Sequence, residues 1–97
     1  MYIAIRRYEL DPADMDEVTR RVREGFVPIV SQVAGFRSYD WIAVSAGVMM
    51  SINVFDDQEG ADASIREAAD FVREHLAPLL PNPPQITEGE VLVHQDA

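Results

Sequence analysis

The sequence of 97 residues contains no cysteine and no lysine, so all eight of its basic residues are arginines. Without cysteine the chain can form no disulfide, no thiolate nucleophile and no cysteine-ligated metal site. The shortage of positive charge leaves a net charge of −9. An acidic surface repels phosphate groups, which argues against binding to nucleic acids or to anionic membranes.

Long apolar runs are missing as well. No stretch approaches the roughly 18 apolar residues that a membrane helix needs. The first ten residues, MYIAIRRYEL, lack the basic segment and apolar core of a signal peptide. We therefore expect a cytoplasmic protein, and 97 residues suffice for a single domain with a modest core.

The first half of the chain shows a strand pattern followed by a helix pattern. Residues 2–9 alternate as a strand does. Asp11 is a good N-cap and Pro12 suits the first helical turn, so a helix is predicted to begin there. Its apolar residues recur every three or four positions as far as Val33, and Pro28 is expected either to kink it or to start a tighter last turn.

The second half repeats the order. Residues 36–45 and 48–55 predict a β-hairpin that contains the only tryptophan, Trp41. Asp56 and Glu59 form a capping-box pattern that predicts a second helix with an apolar stripe through Leu79. Residues 85–94 predict a last strand.

The two faces of the hairpin differ in polarity. Val48, Met50, Ile52 and Val54 form one wholly apolar face of the third strand, which we expect the helices to cover. The opposite face mixes apolar and polar side chains and is expected to stay open; with the first strand it comprises Tyr2, Arg6, Tyr8, Ser51, Asn53 and Phe55. The face on which Trp41 lies depends on the length of the turn, which the sequence leaves open.

The order β-α-β-β-α-β predicts an α+β, ferredoxin-like fold in one domain, residues 1–97. It has a four-stranded antiparallel sheet with two helices on one face. A sheet face that no helix covers is too apolar to be left in water. The chain is therefore expected to form a homodimer through its open sheet face.

Two short segments resemble a known family. Residues 33–36 (VAGF) are similar to a Pro-Gly-Phe entry to strand two, and residues 51–57 (SINVFDD) are similar to a strand-three exit, with Phe55 where many relatives place tryptophan. Both patterns occur in antibiotic-biosynthesis-monooxygenase-like proteins, which are dimeric α+β barrels. The resemblance extends over nearly the whole chain in the order and length of its elements.

The resemblance implies a range of functions. The family includes oxygenases that act on aromatic quinols and polyketides without an organic cofactor, and a haem-degrading branch. That branch has an asparagine on strand one, a tryptophan on strand three and a histidine on helix two. The matching positions here are Arg6, Phe55 and His75, and two of the three differ, which argues against haem degradation.

His75 is the first candidate site residue. It follows Phe71 by one helical turn and flanks the apolar stripe, so its imidazole could transfer a proton if it faces the cavity. The alternative is a surface histidine stabilised by the C-terminus of the helix. His94 is expected at the surface, and no carboxylate stands at ligand spacing from either histidine, so no metal site is predicted.

The sheet supplies the other candidates. Asn53 and Ser51 could orient a carbonyl or phenol oxygen, or could form hydrogen bonds within the sheet or across a dimer interface. A buried Arg6 needs an anionic ligand or a carboxylate partner, for which Glu90 is the candidate. Trp41 could stack on an aromatic ligand together with Tyr39, or could belong to the core or the interface.

Two functions follow. The first is an oxygenase-like enzyme that acts on a small aromatic or quinol-type molecule between sheet and helices, with no organic cofactor or metal. In it His75 and Asn53 are catalytic, and Arg6, Trp41, Ser51 and Phe55 bind the substrate. The second is a non-catalytic, dimeric small-molecule-binding or accessory module.

Overall fold

The computed structural model describes residues 1–97, whose strands form one four-stranded sheet in the order β2-β3-β1-β4, with every neighbouring pair antiparallel. The strands and α-helices are β1 (Tyr2–Glu9), α1 (Met15–Arg21), α2 (Val27–Val30), β2 (Phe36–Ser45), β3 (Val48–Phe55), α3 (Gln58–Phe71) and β4 (Gln85–Glu90). All the helices pack on the same face of the sheet. The ferredoxin-like α+β prediction is confirmed.

The first helical run covers residues 12–30. Asp11 caps it, since its carboxylate accepts a hydrogen bond from the Ala13 amide at 2.9 Å. Between α1 and α2 the backbone forms one π-helical turn, Val22–Phe26. Pro28, which cannot donate a backbone hydrogen bond, lies two residues after this turn, and the π turn is the irregularity that the structure shows next to it.

The second helical run covers residues 58–76 and also ends in a π turn, Val72–Leu76. Its N-cap is Asp57, whose carboxylate accepts from the Gly60 amide at 3.0 Å. The prediction of Asp56 as the cap was wrong by one residue, because Asp56 pairs with Arg37 across the loop at 2.6 Å.

The helices cover the face of the sheet opposite to the one predicted. The side chains of Ala4, Arg6, Tyr8, Met49, Ser51, Asn53 and Phe55 are buried beneath them. The open face carries Ile3 and Ile5 from β1, with Val48, Met50, Ile52 and Val54 from β3. The prediction was wrong because both faces of β3 are apolar enough to be covered. The mixed face supplies the larger aromatic side chains that fill the space between the layers.

The hairpin turn settles the position of Trp41. Gly47 adopts a positive φ of 79° in the turn, and the pairing of β2 with β3 is irregular between Ala43 and Ser45. In the resulting register Trp41 pairs with Ser51. Trp41 therefore lies on the helix-covered face.

β4 is shorter than predicted, since it ends at Glu90 rather than at residue 94. Beyond it a single backbone hydrogen bond, from the Val91 amide to the Met1 carbonyl at 2.9 Å, continues the pairing with β1. Leu92 and Val93 are exposed. None of the helices has the length and apolarity required to cross a bilayer.

Candidate functional site

Arg6 is the most unusual residue of the interior. Its side chain comes from the middle of β1, and the residue is only 2% exposed. One guanidinium nitrogen, Nη2, donates a hydrogen bond to Asn53 Oδ1 at 3.3 Å. The other two nitrogens, Nε and Nη1, are buried with no hydrogen-bond partner. Buried polar groups of native proteins nearly always have partners, so this guanidinium has unused binding capacity.

No carboxylate neutralises the guanidinium. Arg6 takes part in none of the ion pairs of the structure. Glu90, the candidate partner, lies opposite Tyr2, whereas Arg6 lies opposite Ile86. The suggested Arg6–Glu90 ion pair is therefore absent, and the nearest compensation is the ring of Phe26, whose centroid lies 5.5 Å from the guanidinium carbon.

Aromatic side chains surround the guanidinium. Tyr8 follows Arg6 on the same face of β1, and Tyr39 and Trp41 reach the same space from β2. The ring centroids of Tyr8 and Trp41 are 5.8 Å apart, and those of Phe26 and Tyr39 are 5.7 Å apart. These tilted pairs are typical of well-packed aromatic clusters.

The two phenols remain protonated at neutral pH. Burial raises the pKa of both Tyr8 and Tyr39, and the positive charge on Arg6, together with its polar contact with each phenol oxygen, offsets only part of the rise. The rise is larger at Tyr39, where the neighbouring Tyr8 adds to it. Beside the permanent cation, both hydroxyls are therefore neutral groups that can donate a hydrogen bond to an oxygen atom.

Asn53 holds the guanidinium in place. Its amide nitrogen donates to the Ala4 carbonyl at 3.2 Å and to Ser51 Oγ at 3.3 Å, which leaves its oxygen directed at Arg6. Ser51 thus supports Asn53 and does not line the interior space. Ser51 and Asn53, the two polar residues predicted on β3, therefore lie together with Arg6 and position its guanidinium.

The remaining predicted residues lie at different distances from this cluster. Trp41 belongs to it, and its indole nitrogen donates to Thr19 Oγ1 at 3.1 Å. Phe55 is fully buried but packs at the end of the sheet against Phe36, with ring centroids 5.9 Å apart. Phe55 is not among the residues that line the interior space.

His75 lies outside the cluster. Its ring packs against the outer side of Phe71 at a centroid distance of 4.9 Å, and its side chain is 58% exposed. It borders a surface groove with Arg21 and Glu24. The π turn explains this position. It contains one extra residue, so the next residue after Phe71 to face the interior is Leu76, five positions later, and His75 faces outward.

The sequence did not predict Phe26 and Phe71 as parts of the site. Its pattern places Phe26 in the apolar stripe of the first helix and Phe71 one turn before His75. Tyr8 was placed beside Arg6 by strand alternation but received no role. The sequence did contain one indication of the site: Arg6 shares a face of the sheet with aromatic residues. The helical aromatics gave no such signal, since they have the spacing of ordinary core residues.

The interior space enclosed by this cluster is small, about 10 Å³, which is about the volume that one water molecule occupies. A larger groove of about 320 Å³ opens beside it. The groove lies between the second helical run, the proline-rich residues 81–84 and β4. Arg6 and Tyr8 line both the interior space and the groove.

Comparisons with known proteins give similarity of structure only. No protein-family model and no curated relative matches the sequence. Among solved structures, 39 chains match. One is the NE2512 protein of unknown function from Nitrosomonas europaea, with a TM-score of 0.80 and 19% identity over 99% of this chain and 93% of that one.

Some of the other similar structures carry a functional name, and Rv0793 is one that does not. The ActVA-Orf6 monooxygenase of Streptomyces coelicolor, in complex with nanaomycin D, has a TM-score of 0.72 and 19% identity over 96% of this chain and 92% of that one. Rv0793 from Mycobacterium tuberculosis has a TM-score of 0.73 and 18% identity over 98% of each chain. Several further matches are named antibiotic biosynthesis monooxygenases. The chain therefore has the fold of the antibiotic-biosynthesis-monooxygenase-like proteins, as the sequence resemblance indicated.

Proposed function

We propose that this protein is an oxygenase that oxidises a small aromatic or quinol-type molecule with dioxygen. The observation that carries the proposal is the buried Arg6 guanidinium, unpaired and enclosed by aromatic rings, in a fold that named monooxygenases share. A cation with two unpaired donor nitrogens beside two protonated phenols suits an oxygen substituent on an aromatic ring. As the resemblance implies, no organic cofactor is invoked.

Arg6 supplies electrostatic stabilisation. Its charge favours the ionised form of a substrate phenol or enol, in which electron density moves to the ring carbon that reacts. For an anthrone, that carbon is a methylene group. The methylene carbon loses both of its C–H bonds and four electrons to dioxygen; one oxygen atom becomes the new carbonyl oxygen, and the other leaves as water together with the two protons. Asn53 orients the guanidinium for this role.

Oxygen uptake tests the proposal. Anthrone and 1,4-dihydroxynaphthalene are incubated with the protein in air between pH 6 and 8, in buffer containing a metal chelator. Uptake above the buffer rate is expected from the native protein and its loss from Arg6→Met. Arg66→Met, which removes an equal charge at an exposed site, is expected to retain it. Uptake at the buffer rate with both substrates would contradict the proposal.

His75 requires a separate test. Its exposed ring on the outer side of Phe71 predicts that His75→Ala has unchanged oxygen uptake. A loss of about tenfold or more, equivalent to about 1.4 kcal/mol of transition-state stabilisation, would return His75 to the mechanism.

A second candidate function, a non-catalytic small-molecule-binding module, is favoured by one observation. The interior space holds about one water molecule, and no histidine or carboxylate lines it to accept a proton. This candidate predicts ligand binding without oxygen uptake, which the same substrates distinguish by calorimetry.

We further propose that the protein is a homodimer through its open sheet face. That face presents an apolar surface centred on Ile5 and Ile52, which pair across β1 and β3, with Arg7 and Asp40 at its margins. No element of the chain covers it, and two such faces packed together would remove both from water. Light scattering is expected to give the dimer mass at micromolar concentration.

A charge on this face tests the interface. Ile52→Glu is expected to give monomers, because each dimer would bury two unpaired carboxylates. Gln32→Glu adds the same charge at an exposed position after α2 and is expected to leave the dimer intact. A monomeric native protein, or a dimeric Ile52→Glu variant, would overturn this interface.

A further inference from the structure

The groove beside residues 81–84 has the properties of a ligand site. Its volume of about 320 Å³ falls within the range of about 300–1,000 Å³ that is common for small-molecule sites. Its walls are largely apolar, formed by the residues Ile65, Ala69, Val72, Leu80, Pro83 and Ile86. It is therefore large enough for a two-ring molecule, which the interior space is not.

The groove also has an unusual charge for this chain. The sequence carries 17 acidic and eight basic residues. No acidic side chain lines the groove, whereas two arginines do: Arg6 on the inner side and Arg73 near the surface. Arg73 already pairs with Asp70 at 2.7 Å, so Arg6 is the one with unused donors.

We propose that this groove binds a small aromatic anion, with the rings against the apolar walls and the charged oxygen directed at Arg6. An anion is repelled by most of the acidic surface and attracted only where positive charge is uncompensated. The guanidinium is 2% exposed and lacks partners for Nε and Nη1, the expected state of a cation whose counter-charge is a ligand.

The inference rests on the proposed function for its site and specifies the charge and the entry side of the substrate. A molecule in the groove meets Arg6 and Tyr8 first, because both line the groove and the interior space. The ring of Trp41 does not line the groove, so it supports Tyr8 from the interior side and does not contact the ligand in this arrangement. This differs from the sequence-based expectation that Trp41 packs on the substrate.

Isothermal titration calorimetry with two probes that share the naphthalene ring system tests the inference. 2-Naphthoate is an anion at pH 7, and 2-naphthol is neutral. The native protein is expected to bind the naphthoate at least about tenfold more tightly, because only the anion can form a charge-assisted hydrogen bond with Arg6. Arg6→Met is expected to lose this preference, and Arg66→Met to keep it.

A second variant locates the site independently of Arg6. Ala69 is exposed on α3 and lines the groove, so Ala69→Phe fills the groove without altering the core. It is expected to weaken both probes about tenfold or more. Equal affinity of the native protein for the two probes, absence of naphthoate binding at millimolar concentration, or full binding by Ala69→Phe would overturn the inference.

Failure of this inference can be told from failure of the proposed function. Naphthoate binding that depends on Arg6, without oxygen uptake on the quinol panel, would retain the groove as an anion site and remove the oxygenase. Oxygen uptake without any preference for the anion would retain the oxygenase and remove the anionic substrate.

Discussion

Replacing Arg6 with methionine is expected to make the folded protein more stable. Methionine has a similar length and no polar hydrogen, so the variant no longer buries a charge without a counter-ion. An arginine kept for its own structural contacts would give the opposite result. The sign of the change therefore separates a binding residue from a structural one.

The magnitude follows from the contacts of the guanidinium. Two of its nitrogens are buried without acceptors, and each such group costs about 2 kcal/mol. The variant loses the hydrogen bond to Asn53, worth about 2 kcal/mol as a charge-assisted contact, and the contact with the Phe26 ring, worth about 1 kcal/mol. The expected net gain is about 1 kcal/mol, which raises Tm by about 4–8 °C in a domain of this size.

The assay is urea unfolding at a fixed protein concentration, because association also contributes to apparent stability. Trp41, the only tryptophan, reports the packing of the cluster by fluorescence, and circular dichroism reports the helices. Arg66→Met is the matched control and is expected to change stability by less than about 0.5 kcal/mol. Any loss of stability in Arg6→Met that exceeds the change in Arg66→Met, with an unchanged m-value, would refute the argument.

Three further predictions concern the helices and the edge of the sheet. Gly25→Ala is expected to lower the free energy of unfolding by about 1–3 kcal/mol, because the added Cβ would lie 2.7 Å from the Phe71 ring. Thermal unfolding measures this loss, and adding Phe71→Leu to the same chain should recover part of it. Asp57→Ala removes the cap of α3 and is expected to cost about 1 kcal/mol by the same measurement. Partial desolvation and the nearby Asp62 raise the pKa of Glu88, so the native protein gains stability as pH falls through that raised pKa and loses it as pH rises above it. Glu88→Gln should therefore be more stable than the native protein at pH 7, by less than about 1 kcal/mol because the group is exposed. The difference in stability should vanish near pH 3. An equal difference at both pH values would contradict this prediction.

The sequence predicted the fold correctly because the relevant signals are local. The first helical run begins where Asp11 and Pro12 favour a helix start, and the hairpin reverses at Gly47, which adopts a positive φ. Both signals act independently of the rest of the chain. The covered face of the sheet depends on which side chains fill the space beneath the helices. That is a property of the packed layers and not of the alternation in β3.

The candidate site was predicted in part. Arg6, Asn53 and Trp41 lie together as their positions on the strands suggested, once the register of β2 is known. His75 could not be placed because the helical period of 3.6 residues takes no account of the extra residue in a π turn. The missing partner of Arg6 could not be foreseen either, since it depends on the register between β1 and β4.

The two π turns have a consequence for how this protein could change over time. Each turn contains one residue more than an α-helix needs, and both border the interior space, through Val22 and Phe26 in one and Val72 and Leu76 in the other. Deleting a single codon in either would restore a plain helix and rotate a different side chain into the cluster, while the strands and their pairing stayed as they are. A single insertion or deletion in a helix can therefore change which side chains line the site while the sheet stays the same. This is one way in which the same fold comes to serve many reactions.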